Sequence, residues 1–229
     1  MVSLIPWNKL YKYEELERID SPEGRRYVYG DQRLPSVTTI LSATGDKSSL
    51  EAWATRVGPE NAETIKNEAA TIGTHMHSVM ERMLAHKDLP RPSSWLMTQG
   101  YEMGYRLVNT YFKNLECVFG SEVPLYYPER YAGTADLVGI YRGKQAIIDF
   151  KQSNKPKKKE WIQNYFHQLA AYAMAHDAVH GTSIDYGVIL MAVRDGTTAE
   201  FSTAGHEFRT FKEGWMKRVD QFYAGCGGG

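Results

Sequence analysis

Residues 133–151, GTADLVGIYRGKQAIIDFK, decide how this chain is read. Two stretches, 135–141 (ADLVGIY) and 145–151 (QAIIDFK), are apolar and rich in Val, Ile, Phe and Tyr, and Arg142-Gly143 breaks the run between them. That pattern predicts a β-hairpin. With Arg142 and Gly143 as the central loop residues, Tyr141 faces Lys144 and Asp136 lies directly opposite Asp149, so the two acids share one face. A three-residue loop would shift the register by one and put them on opposite faces. Directly opposed residues have Cβ atoms roughly 5 Å apart, and like charges placed so are destabilising. A divalent cation between them would relieve that. Side chains alternate along a strand, so Asp149 and Lys151 project together while Phe150 turns to the core. A hard cation such as Mg²⁺ is usually held by one or two carboxylates, waters and substrate phosphate, which two aspartates can supply. The rival reading is a hairpin whose polar face is simply solvated.

The chain around this hairpin has 229 residues, 27 Lys and Arg against 27 Asp and Glu, and a net charge of zero. That length suits one domain with a substantial core. Zero net charge excludes global basicity as a signal for nucleic acid, so any such partner must be met by a local patch. No apolar run approaches a membrane span, and Pro6, Asn8 and Lys9 interrupt the start where a signal peptide or transit peptide would lie. The expectation is a soluble, cytoplasmic protein without membrane partners, phage or bacterial rather than mitochondrial in type. Two cysteines, Cys117 and Cys226, make neither a disulfide framework nor a zinc pattern. Cys117 reads as a small core residue on a helix.

Taken in order, residues 14–29 predict a small hairpin around Ser21-Pro22-Glu23-Gly24, as a surface flap, followed by an extended Leu34-Pro35. Ser36 caps a short helix over 37–42, and Ser48-Ser49 open another through Trp53. A long helix runs from Pro59 to about His86, and a second from Ser93 or Ser94 to about Phe119. Its stripe of Tyr101, Tyr105, Val108, Tyr111 and Phe112 reads as core. Residues 122–127 are a strand and the hairpin follows. A polar loop over 152–160, a helix over 161–180, strands over 184–194 and 199–202, and a helix over 207–223 complete the order. This describes an α/β domain with a mixed central sheet flanked by helices. The expected organisation is a single domain, 1–224, with 1–120 a mainly helical wrap, 121–203 the sheet core, 205–223 a last helix and 225–229 a flexible tail.

Three further groupings carry chemistry. His77 and Glu81 stand at i and i+4 on the first long helix, on one face. They suit either a solvated pair or an imidazole ligand with a carboxylate to orient it. Between Arg142 and Lys159 seven basic residues meet only Asp149 as an acid. Of these Lys155, Lys157, Lys158 and Lys159 form a run suited either to solvent or to phosphate. Gln168 interrupts an apolar face made by Tyr165, Leu169 and Tyr172, and a buried amide needs partners.

In order, Gly73-Thr74, His77, Glu81, Glu122, Gly133-Thr134-Ala135-Asp136, Ile148-Asp149-Phe150-Lys151 and Gln168 with Tyr172 resemble the PD-(D/E)XK nuclease superfamily, in its RecB-like branch. Pro35-Ser36-Val37-Thr38, Asp149-Phe150-Lys151-Gln152-Ser153 and Lys155-Pro156-Lys157 make the chain most similar, over about residues 35–177, to mitochondrial genome-maintenance exonucleases and their phage relatives. The resemblance implies a restriction-endonuclease-like core. It implies Mg²⁺ or Mn²⁺ held by His77, Asp136, Asp149 and the Phe150 carbonyl. It gives catalytic roles to Asp136, Asp149, Lys151 and Gln168, with Glu81, Glu122 and Tyr172 supporting them. Ala135 replaces the proline of the superfamily motif, and Gln152 stands where threonine is common. The implied activity is a deoxyribonuclease, an exonuclease hydrolysing phosphodiester bonds at single-stranded DNA ends, with DNA also met by Lys155, Lys157, Lys158 and Lys159. A double-strand-resecting or structure-specific nuclease, a catalytically silent nucleic-acid-binding module and a plain scaffold are the alternatives.

Overall fold

The structure, a computed structural model, describes residues 5–226. Two sheets organise it. Three strands, β1 (Glu17–Ser21), β2 (Gly24–Tyr29) and β3 (Gln32–Pro35), form an antiparallel sheet. Five more, β4 (Leu115–Tyr127), β5 (Tyr131–Tyr141), β6 (Lys144–Ser153), β7 (Tyr186–Val193) and β8 (Thr198–Ala204), lie side by side in chain order. The larger sheet is mixed, because β6 pairs with β7 in parallel and every other neighbour is antiparallel. The parallel pair is made possible by the crossover helix α5 (Gln163–His180). The helices are α1 (Val37–Thr44), α2 (Ser48–Val57), α3 (Pro59–Leu84), α4 (Trp95–Tyr111), α5 and α6 (Gly205–Cys226).

The sheet's two faces bury different helices, as its alternating side chains require. Val138, Ile147, Ile189 and Met191 pack with Phe166, Leu169, Phe208 and Trp215 from α5 and α6. Ile148, Phe150, Val188 and Leu190 pack with Ile72, Met76, Met103 and Leu107 from α3 and α4. Each fully buried Leu, Ile or Phe contributes about 1.5–3 kcal/mol. The α/β core with a mixed sheet flanked by helices is the fold expected from the sequence. Among the described residues no helix is long and apolar enough to cross a membrane.

Several expected boundaries move. The second long helix stops at Tyr111, not Phe119, and a short 3₁₀ turn over Phe112–Asn114 leads into a thirteen-residue β4. Register shifts between Leu115 and Cys117 and between Val118 and Gly120 break the two-residue alternation there, which hides the strand from a periodicity reading. Cys117 is therefore a half-buried strand residue, not a helical one. The amino-terminal half is not only helical, because Leu34-Pro35 joins the hairpin as a third strand. Ser48-Ser49 open α2 as expected, with the Ser48 N–H donating to Asp46 Oδ1 at 2.8 Å, and the helix runs on past Trp53 to Val57. The last helix continues to Cys226, and residues 227–229 of the expected tail lie outside the described residues.

Candidate metal centre

Tyr141 pairs with Lys144, and the ladder runs back to Leu137 opposite Ile148. Arg142 and Gly143 both have positive φ, 49° and 75°, as a two-residue I′ turn demands. This is the register the sequence implied, and it aims Asp136 at Asp149. One step further the two strands part. β6 stays in the sheet by pairing with β7, while the start of β5 bridges instead to Ser36 at the head of α1. At the fork, Asp136 Oδ2 accepts the Phe150 N–H at 2.7 Å, replacing the ladder bond that the parting removes.

Register on the other edge of β5 brings in a third acid. Ser121 pairs with Leu137 and Val123 with Ala135, so Glu122 falls opposite Asp136. Glu122 has φ 51°, in the left-handed region that costs a non-glycine residue strain and that clusters at functional sites. Glu122, Asp136 and Asp149 thus stand level on three adjacent strands and all line one cleft of about 560 Å³.

α3 lowers His77 onto this row. Its Nε2 lies 2.9 Å from the Phe150 carbonyl, to which it donates as an N–H, and that bond leaves Nδ1 facing the acids. Nδ1 is 3.6 Å from Asp136 Oδ1 and 4.0 Å from Glu122 Oε1. The ligand atoms of His77, Glu122 and Asp136 all lie within 4.8 Å of one another. One imidazole nitrogen among carboxylate oxygens fits a divalent cation.

Asp149 is almost completely buried at 1% exposure, and its Oδ1 has no hydrogen-bond partner among the described residues. Lys151 is ion-paired with its Oδ2 and sits 5.0 Å above the Tyr165 ring. Burial pushes the Asp149 carboxyl up to about 6; Lys151 opposes that rise and Asp136 adds to it. Burial alone would push His77 down, and Lys151 adds to that, but the charge of Asp136, the contact with Glu122 and the charge of Asp149 hold it at about 9. Lys151 is likewise raised: burial opposes the ammonium form, and Asp149 and Asp136 outweigh it. These are the signs of a site crowded with negative charge.

α5 closes the cleft. Gln168 Nε2 donates to Tyr172 OH at 3.3 Å, and both residues line it. Burial raises the Tyr172 hydroxyl's pKa, so it stays protonated. A Cβ added at Gly133 would stand 2.8 Å from Tyr172 Cε1, so glycine at that point of β5 is what lets the ring reach the fork.

Of the residues singled out from sequence, His77, Asp136, Asp149, Lys151, Gln168, Tyr172, Glu122 and Glu81 all line this cleft. Glu122 stands closer to His77 and Asp136 than the supporting role foreseen for it. Glu81 is exposed on the rim. The Phe150 carbonyl, expected as a ligand, carries the His77 bond on one of its two lone pairs. Lys155, Lys157 and Lys158 are exposed outside the cleft, with Lys158 5.5 Å above Trp161. Lys159 is held by Glu207 at 2.7 Å, which ties the loop to α6. Arg18, Arg25, Ser36 and Thr38 line the cleft from the small sheet and the head of α1, and the sequence reading gave them no part in it. Ser36 was visible as a cap; the two arginines looked like a surface flap.

No family model matches the chain. Curated relatives do. The human mitochondrial genome maintenance exonuclease 1 is 28% identical over 204 residues, covering 82% of this chain and 58% of that protein. The Xenopus tropicalis protein is 29% identical over 203 residues, covering 82% and 57%. The mouse protein is 26% identical over 202 residues, covering 82% and 59%. The chain is similar to mitochondrial genome maintenance exonucleases. It spans less than two thirds of the length of these relatives. A solved Eubacterium rectale protein overlaps 67% of this chain and 64% of its own, with 13% identity and a TM-score of 0.46. The PD-(D/E)XK-like resemblance read from the sequence stands with these relatives.

Proposed function

We propose that the chain is a Mg²⁺- or Mn²⁺-dependent exonuclease hydrolysing phosphodiester bonds at single-stranded DNA ends. One observation carries the proposal: three neighbouring strands and one helix deliver Glu122, Asp136, Asp149 and His77 to a single cleft that also holds Lys151. The similarity to exonucleases supports the same reading. A divalent cation bound there supplies a nucleophilic water at neutral pH and charge stabilisation for the phosphoryl oxygens.

The chain's own residues do the rest. Glu122, Asp136 and His77 Nδ1 are the donors, and the Phe150 carbonyl keeps the imidazole in the tautomer that can donate a lone pair. Asp149, with its free Oδ1, would join them as a further donor, and Lys151 would put a positive charge beside a scissile phosphate. Gln168 and Tyr172 hold the opposite wall. Lys155, Lys157 and Lys158 supply phosphate contacts without base readout. The domain acting in this way spans 1–224, works in the cytoplasm and takes single-stranded DNA as its partner.

The test is digestion of linear and circular single-stranded DNA, with Mg²⁺, Mn²⁺ or EDTA, by the parent and by Asp149→Ala. Degradation of the linear form alone, lost with EDTA and in the variant, is the expected result. Equal cutting by the variant, or inertness of the parent on both forms, would overturn the proposal. Cleavage of linear duplex only would replace it with the double-strand-resecting reading.

A further inference from the structure

A second cavity, about 420 Å³, opens on the outer side of β4 and shares Glu122 with the cleft. Its far wall is the segment before β1. Asn8 N donates to Val118 O at 2.8 Å and Val118 N to Pro6 O at 2.9 Å, a single parallel bridge that fastens this segment along the edge strand. Trp7, Lys9, Tyr11, Lys12 and Tyr13 then face residues 119–124 across a groove.

The polar tips of the three large rings are turned into the protein. Trp7 Nε1 donates to Leu84 O at 2.7 Å, Tyr11 OH accepts from Gln145 Nε2 at 3.1 Å, and Tyr13 OH bonds His176 Nε2 at 3.1 Å. With their hydrogen bonds satisfied internally, the rings offer the groove mainly apolar surface, already fixed in place. Trp7 remains 40% exposed. Lys9 and Lys12 are exposed, and neither has an ion pair among the described residues.

We infer that this groove carries the single-stranded continuation of the substrate beyond Glu122, with unpaired bases against Trp7, Tyr11 and Tyr13 and phosphates against Lys9 and Lys12. The inference rests on the nuclease reading above. Fixed aromatic surface interleaved with lysines is what sequence-tolerant single-strand binding requires, because every base has a π face and every linkage a charge. A duplex keeps its bases stacked inside and could not use the rings. Glu122 lines both the groove and the cleft, so the two adjoin at that residue, and the lysines match an anionic occupant. An apolar peptide would leave them unmatched.

The experiment measures binding of fluorescein-labelled oligothymidylates, of about 3 and about 12 nucleotides, to the full chain by anisotropy in EDTA, where no cutting occurs. Two variants are compared with the parent: Trp7→Ala, and Lys9→Gln with Lys12→Gln. The double-lysine change alters only exposed side chains, so it serves if Trp7→Ala fails to fold. Expected is a roughly ten-fold or greater loss of affinity for the long oligonucleotide with Trp7→Ala. The lysine pair should reduce the slope of log affinity against log salt by about 1.4. Neither variant should change binding of the short oligonucleotide. If the parent cuts linear single strands but both variants bind the long strand like the parent, the groove assignment is overturned and the nuclease reading survives. If the parent neither binds nor cuts, both fall.

Discussion

His77 and His176 are one residue type in two environments, and one ends charged while the other ends neutral. His77, on α3, faces Asp136 and Glu122 and titrates near 9. His176, on α5, is completely buried between Tyr13 and Thr182, with Nε2 3.1 Å from the Tyr13 hydroxyl and Nδ1 2.8 Å from Thr182 Oγ1. Burial, and then His180, push it down to about 4 against a weaker pull from Asp177. Burial disfavours the charged form at both places. What separates them is the company of carboxylates: Asp136 and Glu122 face His77 directly, while Asp177 reaches His176 only through the Thr182 hydroxyl. A site that gathers three carboxylates and stays folded is built for something positive; a nook whose neutral imidazole has both nitrogens bonded is built only to pack.

The largest effect that tests this contrast is on catalysis. Asp149→Asn removes a donor with a free oxygen but keeps the shape, and cleavage of linear single-stranded DNA should fall to background in Mg²⁺ or Mn²⁺. Asn can still accept from Lys151, so the fold is expected to persist. Retained cleavage would mean that the crowding of charge in the cleft has no catalytic purpose.

Next in size are the pH dependences of stability, and their signs oppose. Asp149 and His77 are raised, from 3.8 to about 6 and from 6.5 to about 9, so the native state holds protons that the unfolded chain releases. Their contributions are fully present below 3.8 and 6.5 and are lost as pH rises through 6 and 9. His176 is depressed from 6.5 to about 4, so its contribution is present above 6.5 and is lost as pH falls through 4. Between about pH 4 and pH 6 the Asp149 and His176 contributions oppose each other, so in EDTA the melting temperature should change little there and decline on the alkaline side, through His77. Asp149→Asn removes the opposing titration and should expose the His176 acid limb, on the order of 2 kcal/mol. Because a metal must displace the proton on His77, added Mn²⁺ should raise the melting temperature more at pH 8.5 than at pH 6.5. Asp136→Asn should flatten the alkaline limb and also lower Asp149, whose rise Asp136 supports. A proton NMR titration that finds both imidazoles near 6.5 would end the comparison.

How much of this was legible depended on which geometry the chain uses. The cleft acids were readable because a two-residue turn at Arg142-Gly143 fixes a register, and register fixes faces. Lys151 and Phe150 followed by alternation. Glu122 was only half readable: two register shifts in β4 and its own positive φ hide which residue stands level with Asp136. The lysine run could be counted but not placed. Lys159 proved to be a clamp on Glu207, a tertiary contact between residues 48 apart that no local pattern encodes. The nook was not legible at all, since Tyr13 and His176 are 163 residues apart and meet only because the amino-terminal segment lies along β4.

Smaller effects sharpen the contrast from its two walls. Gly133→Ala places a methyl 2.8 Å from the Tyr172 ring, and its backbone cannot retreat without disturbing Asp136 three residues on. Overpacking of this kind costs about 1–3 kcal/mol. Turnover should fall with stability, because the ring that moves also holds Gln168. Trimming the ring in Gly133→Ala with Tyr172→Leu should recover much of the stability and little of the activity, measured by thermal melts and by initial rates.

The smallest change lies in the nook. Tyr13→Phe keeps the ring and deletes the hydroxyl that bonds His176 Nε2, leaving a buried nitrogen without that partner at a cost of about 1 kcal/mol. Nothing in the cleft contacts this hydroxyl, so kcat on a short oligonucleotide should match the parent while the melting temperature drops by a few degrees. The acid limb should also move. Thr182 Oγ1 gives its one proton to Asp177 Oδ1, so His176 Nδ1–H donates to Thr182 and the bare Nε2 accepts from the Tyr13 hydroxyl. Deleting that donor removes a bond that opposed protonation, so the imidazole should shift upward; a downward shift would mean the other tautomer. Either shift leaves the contrast standing, because both require a neutral His176 at pH 7. A change in kcat would break it, by tying the neutral nook to the charged cleft.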